Sequence, residues 1–417
     1  MRIRYIFLVS VICFVGFITV HAFGAEGANA VATVAALQSS GPSPREALAP
    51  PPTPLSLSPL SGVDLKEMHL EKNRYVQTTS DGRRITFTVN VELQRHVDTL
   101  FDKYEVPAGA AVVLNSRTGR VIALSQKRRV LNAAETSRVA LEATAPAASL
   151  FKMITAAALM EKGNVPLSQT TCYAGGSSRL LLKHLVGPVP SNHACVSMKT
   201  ALGRSVNAVF AKLSDQYLNR QVLEEYAERF HFNRALEFDV PVESSVALIP
   251  KDRLERARAA AGFWHTHLSP MHAAMIIQSI AQGGAMLRPY IVDHITDASG
   301  KKIYEARTKY LNHTVSKETA DQLIDALIYT TESGTARKSF QDRRGRPYLP
   351  GIHVAGKTGT LTGEKPYRAY TWFAGLAPSD HPEVAISVLV VNEPQWRIKA
   401  SQMAALILAK YFQDIEK

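Results

Sequence analysis

Ala147-Ala148-Ser149-Leu150-Phe151-Lys152-Met153-Ile154-Thr155-Ala156-Ala157-Ala158-Leu159-Met160 is apolar at nearly every position from Leu150 onward. A helix over that run is apolar almost all round, which places it inside a core rather than on a surface. Ser149 and Lys152 then need a reason to be there. Three residues apart they share one helix face, so the lysine amine comes within reach of the serine hydroxyl. That is a serine carrying its own base. The spacing alone is a loose pattern, and the chain holds a second match, Ser299-Gly300-Lys301-Lys302. It follows Asp297-Ala298 and contains a glycine, so it reads as a solvated hairpin turn. The rest of the chain has to separate the two.

The chain has 417 residues, 46% hydrophobic and 20% charged, enough for one large domain or two ordinary ones with a real core. Its formal charge of +12 invites a nucleic-acid reading. No stretch interleaves clustered Lys and Arg with aromatics as such a surface requires, so nucleic acid is excluded as a partner. The surplus charge instead suits other anionic partners, lipid headgroups among them. Met1-Arg2-Ile3-Arg4 precedes an apolar run from Tyr5 to Val20, closed by His21. Residues 1–24 are a signal peptide or a membrane anchor, and both remain open. Either way the body is exported, to the outer face of the cytoplasmic membrane, anchored there or secreted. Cys13 belongs to the apolar run, which leaves Cys172 and Cys195 in the exported part. An even pair in an oxidising compartment is a candidate disulfide, with two unconnected thiols as the alternative.

Residues 25–62 are rich in Ala, Ser and Pro, culminating in Ala49-Pro50-Pro51-Pro52-Thr53-Pro54, and predict an extended, disordered stalk. Residues 63–417 form the body. Arg84 to Val89 alternates as a strand, and Val91 to Tyr104 is an amphipathic helix. Gly109 to Leu114 and Arg120 to Leu124 are strands joined by the turn Asn115-Ser116-Arg117-Thr118-Gly119. Helices then dominate to about Ala285: the Ser149 helix, Met198 to Leu202, Ala208 to Leu218, Gln221 to Phe230 and Met271 to Ala281. Strands return at Leu287 to Ile295, Ile352 to Ala355, Ala369 to Leu376 and Val384 to Val391, and Ile398 to Ile415 is a closing helix. Strands at both ends with helices between predict an α/β (α+β) fold, one antiparallel sheet flanked by helices with an all-helical lobe inserted. The groove between sheet and lobe is the natural site.

Two short motifs lie downstream of Ser149. Ser205-Val206-Asn207 sits on a helix-to-helix turn, where an ordinary N-cap would use the same residue types. Lys357-Thr358-Gly359-Thr360 is sharper: it follows Ile352-His353-Val354-Ala355-Gly356 and rides on a strand flanked by glycines. Glycines let another backbone approach, and an edge strand offers its unpaired amides to an extended peptide. A lysine and two hydroxyls beside such an edge suit a carboxylate. Two lysines facing one cleft also disfavour double protonation, so the pKa of Lys152, beside the hydroxyl, should fall toward that of a useful base.

Ser149-x-x-Lys152, Ser205-x-Asn207 and Lys357-Thr358-Gly359, in that order, resemble the three motifs of the penicillin-binding protein and serine β-lactamase superfamily. Val206 stands where the β-lactamase pattern has aspartate. Gly334-Thr335-Ala336, Leu268-Ser269-Pro270-Met271-His272-Ala273 and Thr371-Trp372-Phe373-Ala374-Gly375-Leu376-Ala377-Pro378 resemble transpeptidase domains of high-molecular-mass penicillin-binding proteins. So do Leu93-Gln94 and the hairpin through Thr118-Gly119. The chain departs at Pro146-Ala147-Ala148, where the family usually has glycine before the serine, and at Asn90, often aspartate. The span from the N-terminal segment to Ile85 is too short for a glycosyltransferase or the usual non-catalytic domain, so the expectation is a catalytic unit on a stalk.

The resemblance implies a five-stranded antiparallel sheet and D,D-transpeptidase activity on peptidoglycan stem peptides ending in D-Ala-D-Ala, with β-lactams bound at the same site. It implies Ser149 as nucleophile, Lys152 as its base and Ser205 as proton relay. Asn207 would bind the peptide backbone, Lys357, Thr358, Gly359 and Thr360 the terminal carboxylate, and the amides of Ser149 and Thr360 the oxyanion. A D,D-carboxypeptidase, a serine β-lactamase and a non-catalytic member of a wall-synthesis complex are the alternatives on the same scaffold. No cofactor is expected. His265-x-His267 with His272 raises a metal site, but no fourth ligand lies nearby and none is expected.

Overall fold

The computed structural model describes residues 58–129, 138–177, 179–187, 191, 193–364 and 367–415. The N-terminal apolar run and nearly all of the stalk lie outside them. Among the described residues no helix is long and apolar enough to cross a membrane. Residues 58–62 already pack on the body: Leu60 is buried, and the Arg83 guanidinium donates to the carbonyls of Pro59 and Ser61.

In chain order the main elements are helix α1 (Val91–Lys103), strands β1 (Ala108–Asn115) and β2 (Val121–Arg128), then helices α2 (Lys152–Glu161), α3 (Met198–Gly203), α4 (Asn207–Tyr217), α5 (Arg220–Arg229), α6 (Arg253–Ala260), α7 (Pro270–Ala281) and α8 (Lys317–Glu332). Strands β3 (Ala355–Glu364), β4 (Tyr367–Ala377) and β5 (Val384–Asn392) follow, and α9 (Ala400–Ile415) ends the series. The main sheet runs β3-β4-β5-β1-β2, antiparallel throughout. β3 is therefore an edge.

Alternation builds the two faces of this sheet. Ala111, Val113, Phe373, Ile386 and Val388 pack with α1 and α9 on one side. Ala110, Val112, Leu114, Trp372 and Leu389 pack with α2, α7 and the helical lobe on the other. Every residue of β5 is buried, as a central strand covered on both faces requires. The β1–β2 turn is closed by Asn115, whose Oδ1 accepts hydrogen bonds from the amides of Arg117 and Thr118. Asn90 caps α1 by accepting from the Leu93 amide, the same bond an aspartate would make there.

Three local expectations are revised. Arg84–Phe87 and Val292–Thr296 do not join the main sheet; they pair with each other inside a second five-stranded antiparallel sheet that also contains His69–Glu71, Arg74–Thr78 and Lys302–Glu305. The strand expected at Ile352 to Ala355 begins at Ala355, because the His353 carbonyl is taken by the Ser379 amide and the Val354 carbonyl by the Thr331 hydroxyl. The run expected as one strand from Leu287 is split into Ala285–Leu287 and Val292–Thr296 around Pro289, which has no amide to donate.

Cys172 and Cys195 face each other on the paired strands Thr170–Tyr173 and Ala194–Ser197, and their sulfurs are bonded. With His193 they are the described His, Cys, Asp and Glu groups whose ligand atoms gather within 4.8 Å. Sulfurs bonded to each other present no thiolate for a metal. Two histidines of the other suggested cluster go elsewhere: His265 Nε2 meets Glu255 at 2.8 Å and His272 Nε2 meets the Phe230 carbonyl at 2.6 Å. Burial holds the His272 pKa down at about 3, so the ring is a neutral core group.

Candidate active site

The three motifs come together at the mouth between the lobe and the edge strand. Ser149 lies on a 3-10 turn, Ala148–Phe151, that runs directly into α2. In a 3-10 turn residues three apart eclipse each other, which aligns Ser149 with Lys152 more closely than an α-helix would. Lys152 Nζ lies 2.7 Å from Ser149 Oγ. The alanine before the serine has φ +49, in the left-handed region where glycine is at ease. Glycine, usual for the family at this position, fits that geometry without strain.

Lys152 is 0% exposed, and its amine has two further oxygen partners. Asn207 Oδ1 is at 2.6 Å and the Ala261 carbonyl at 2.5 Å. The Ala261 carbonyl is one of the unspent acceptors at the C-terminal end of α6. Gly262, at φ +81, turns the chain away there, and a Cβ on it would fall 2.3 Å from the Ala148 carbonyl. One turn along α2, Thr155 donates to the neighbouring Ala260 carbonyl at 2.7 Å. So α6 docks end-on against the base of α2 through two successive carbonyls.

The second motif is the turn between α3 and α4. Ser205 sits at φ +57, and its Oγ accepts from Lys357 Nζ at 2.9 Å. Asn207 opens α4 and donates its amide nitrogen to the Ser177 carbonyl while its oxygen accepts from Lys152. The third motif lies within β3, with Lys357 fully buried, Thr358 half-buried and Thr360 exposed. Lys357 also donates to the Thr358 carbonyl at 2.9 Å. A Cβ on Gly359 would lie 3.2 Å from Ala148 Cβ, so the strand and the Ser149 turn pack together where Gly359 faces Ala148.

Burial governs the charges. It depresses the Lys152 pKa well below the ordinary lysine value, and the nearby Lys357 charge lowers it further. Burial alone brings Lys357 to about 7. Desolvation, rather than the mutual repulsion expected from the sequence, is the larger cause, and both lysines feel it. A neutral amine has two hydrogens and one lone pair. The Ala261 carbonyl and Asn207 Oδ1 can only accept, so they hold the two hydrogens and leave the lone pair for the Ser149 hydroxyl.

The sequence reading did not reach Ala261, whose part is played by a backbone carbonyl with no side-chain signature. The small-residue helix end Ala259-Ala260-Ala261-Gly262 is the signal that was available. It also gave no role to Thr335, whose Oγ1 lies 2.5 Å from Thr358 Oγ1.

Residues 109–412 match the family described as penicillin binding protein transpeptidase domain. Stage V sporulation protein D of Bacillus subtilis (strain 168) is 25% identical over 371 residues, covering 84% of this chain and 56% of that protein. Peptidoglycan D,D-transpeptidase PbpA of Mycobacterium tuberculosis is 28% identical over 262 residues, covering 61% of this chain and 51% of that protein. The chain thus spans about half the length of the curated relatives it matches. Among solved structures, the D,D-transpeptidase domain of a peptidoglycan glycosyltransferase from Eggerthella lenta superposes with a TM-score of 0.67 at 23% identity, covering 80% of this chain and 84% of that one. The ceftriaxone acyl-enzyme complex of M. tuberculosis penicillin-binding protein A superposes at 0.66 and 23% identity, with 80% of each chain covered. At these identities the structural likeness is one of fold. With the family match spanning most of the chain and the three motifs gathered at one cleft, the chain belongs to the penicillin-binding protein transpeptidase domain family.

Proposed function

We propose that this chain is a serine D,D-transpeptidase that cross-links peptidoglycan stem peptides through an acyl-enzyme and is acylated by β-lactams at the same serine. The observation that carries this reading is the buried Lys152 amine, 2.7 Å from Ser149 Oγ, with its other two partners limited to accepting hydrogen bonds. Such an amine takes a proton from the serine and has nowhere else to direct its lone pair.

Ser149 Oγ attacks the carbonyl of the penultimate D-Ala, its proton passing to Lys152. The amides of Ser149 and Thr360 receive the oxyanion. Ser205, whose oxygen already accepts from Lys357, gives its hydrogen to the leaving amine and takes in its place the proton that Lys152 received, which restores the Lys152 lone pair. The peptide C–N bond breaks, D-Ala departs and a serine ester remains. An amine of a second stem then attacks the ester, its proton leaves by the reverse route, and Ser149 recovers its hydrogen. Lys357 supplies positive charge beneath the terminal carboxylate, with the hydroxyls of Thr358 and Thr360 above it and Gly359 keeping the strand open. The second hydrogen of the Asn207 amide serves the peptide backbone of the donor. The same reading places the body outside the cytoplasmic membrane, held by residues 1–24 or released there, within a wall-synthesis complex.

The test is acylation of purified protein by benzylpenicillin, followed by reaction with a D-Ala-D-Ala pentapeptide with and without an amine acceptor. A stable adduct of one drug per chain, and a cross-linked product that rises with the amine, are expected. Absence of any adduct would sink the acyl-enzyme. Product from water alone makes it a carboxypeptidase, and rapid drug turnover makes it a β-lactamase.

A further inference from the structure

The C-terminal end of α8 joins the cleft through a contact that the catalytic scheme leaves unused. Gly334 follows the helix so closely against α3 that a Cβ there would fall 2.3 Å from the Gly203 carbonyl. Gly203 is itself pressed on Tyr329, 2.6 Å from where its own Cβ would be. Two glycines therefore bring three elements together: α8, the turn that carries Ser205, and β3. Thr335 occupies the junction. Its amide donates to the Gly203 carbonyl at 3.2 Å, and the single hydrogen of its hydroxyl has two acceptors in reach, that same carbonyl at a long 3.4 Å and Thr358 Oγ1 at 2.5 Å, the shorter bond. Thr335 is exposed and Thr358 half-buried, so the pair opens on the cleft.

The direction of that hydroxyl pair matters. If Thr358 donates to Thr335, it turns only a lone pair toward the cleft, which repels a carboxylate. If Thr335 donates to Thr358, the Thr358 hydrogen is released toward the anion, and each bond polarises the next. We infer that Thr335 is a positioning residue for carboxylate recognition, donating to Thr358 so that Thr358 can donate to the terminal carboxylate of the substrate. The inference rests on the transpeptidase reading above and adds to it a residue that acts through Thr358.

Benzylpenicillin carries the carboxylate and its methyl ester lacks the charge, so the two compounds isolate this contact. Second-order acylation rates are measured for both on the wild-type chain, Thr335→Val and Thr335→Ser. Thr335→Val should slow the free acid by about tenfold, the upper end of what one neutral hydrogen bond is worth, and the ester by less than about twofold. Thr335→Ser should restore the free-acid rate to within about threefold, because it keeps the hydroxyl. In a Thr358→Val background the Thr335→Val change should have no further effect, as coupled residues do not add. Equal losses for acid and ester, an unchanged free-acid rate in Thr335→Val, or additive losses in the double variant would overturn the inference. For Thr335→Val chains that do not fold, as judged by thermal melting, Thr335→Ser and Thr335→Ala carry the same comparison. A wild-type chain that neither compound acylates fails the transpeptidase reading itself, which is a different result from a wild-type chain that reacts while its variants do not discriminate.

Discussion

The chain contains the Ser-x-x-Lys spacing twice, and the two copies share nothing but the spacing. At Ser149 the lysine is buried beside its serine, with an amide oxygen and a helix-end carbonyl as its other partners. At Ser299 the serine hydroxyl donates to Asp297 at 2.6 Å and Lys302 reaches Glu305 at 2.7 Å, both on the surface. There the turn is built on Gly300 at φ +86 between the strands Val292–Thr296 and Lys302–Glu305. One copy has an amine stripped of water and aimed at a hydroxyl; the other has two solvated groups, each satisfied by a carboxylate. Reactivity comes from desolvation and from what the remaining hydrogen bonds allow, and spacing only makes those possible.

The comparison is broken most directly at the serines. Ser149→Ala abolishes the covalent β-lactam adduct seen by intact-mass measurement, and Ser299→Ala leaves it unchanged. An adduct that survives Ser149→Ala would place the nucleophile elsewhere. At the lysines, Lys152→Met slows acylation by about a thousandfold, the usual worth of a positioned general base. Lys302→Met changes it by less than about twofold, within the range of an exposed ion pair. Equal sensitivity at both lysines would dissolve the distinction.

Stability against pH sharpens the buried half of the comparison. Lys357 in the folded chain titrates at about 7, Lys152 is also depressed, and an unfolded lysine titrates near its ordinary 10.5. Between about pH 7 and that value the unfolded chain binds more protons, so stability rises with pH across the window and the penalty is gone above it. Each such lysine contributes up to about 1.4 kcal/mol per pH unit. Denaturation curves at pH 7.5 and 9.5 should show the rise, and Lys357→Met should reduce it. A flat or falling curve would contradict the desolvated pair.

The smallest effect concerns the backbone on which each serine rides. The hairpin has glycine at its positive-φ position, and the turn before Ser149 has Ala148 at φ +49. Ala148→Gly should stabilise the chain by about 1 kcal/mol in chemical denaturation, since a left-handed alanine is strained by roughly that amount. A destabilised variant would mean that the Ala148 methyl, packed 3.2 Å from the position a Cβ would take on Gly359, contributes more than its backbone strain removes.

Much of this was legible in the residues. The continuous apolar runs of Ala108–Asn115 and Val384–Asn392, the glycine-flanked strand of Lys357 and the apolar run after Ser149 each record which faces are covered, so element type and order could be read off. Membership of the second sheet could not. Arg84–Phe87 pairs with Val292–Thr296 across some two hundred residues, and nothing in either strand names its partner. The late start of β3 was hidden for a similar reason: the residues before it look like strand, but their carbonyls are taken by Thr331 and Ser379.

The sequence by itself determined the chemical inventory: two serines, two lysines, an asparagine and a threonine-rich strand in an order that matches one superfamily. It did so because side-chain identity and local periodicity are properties of neighbouring residues. The tertiary structure alone decided how completely the Lys152 amine is stripped of water, which backbone carbonyl holds one of its hydrogens, and that Thr335 meets Thr358. Those are matters of desolvation and long-range contact, and a backbone carbonyl such as that of Ala261 looks the same in every residue until packing brings a lysine to it.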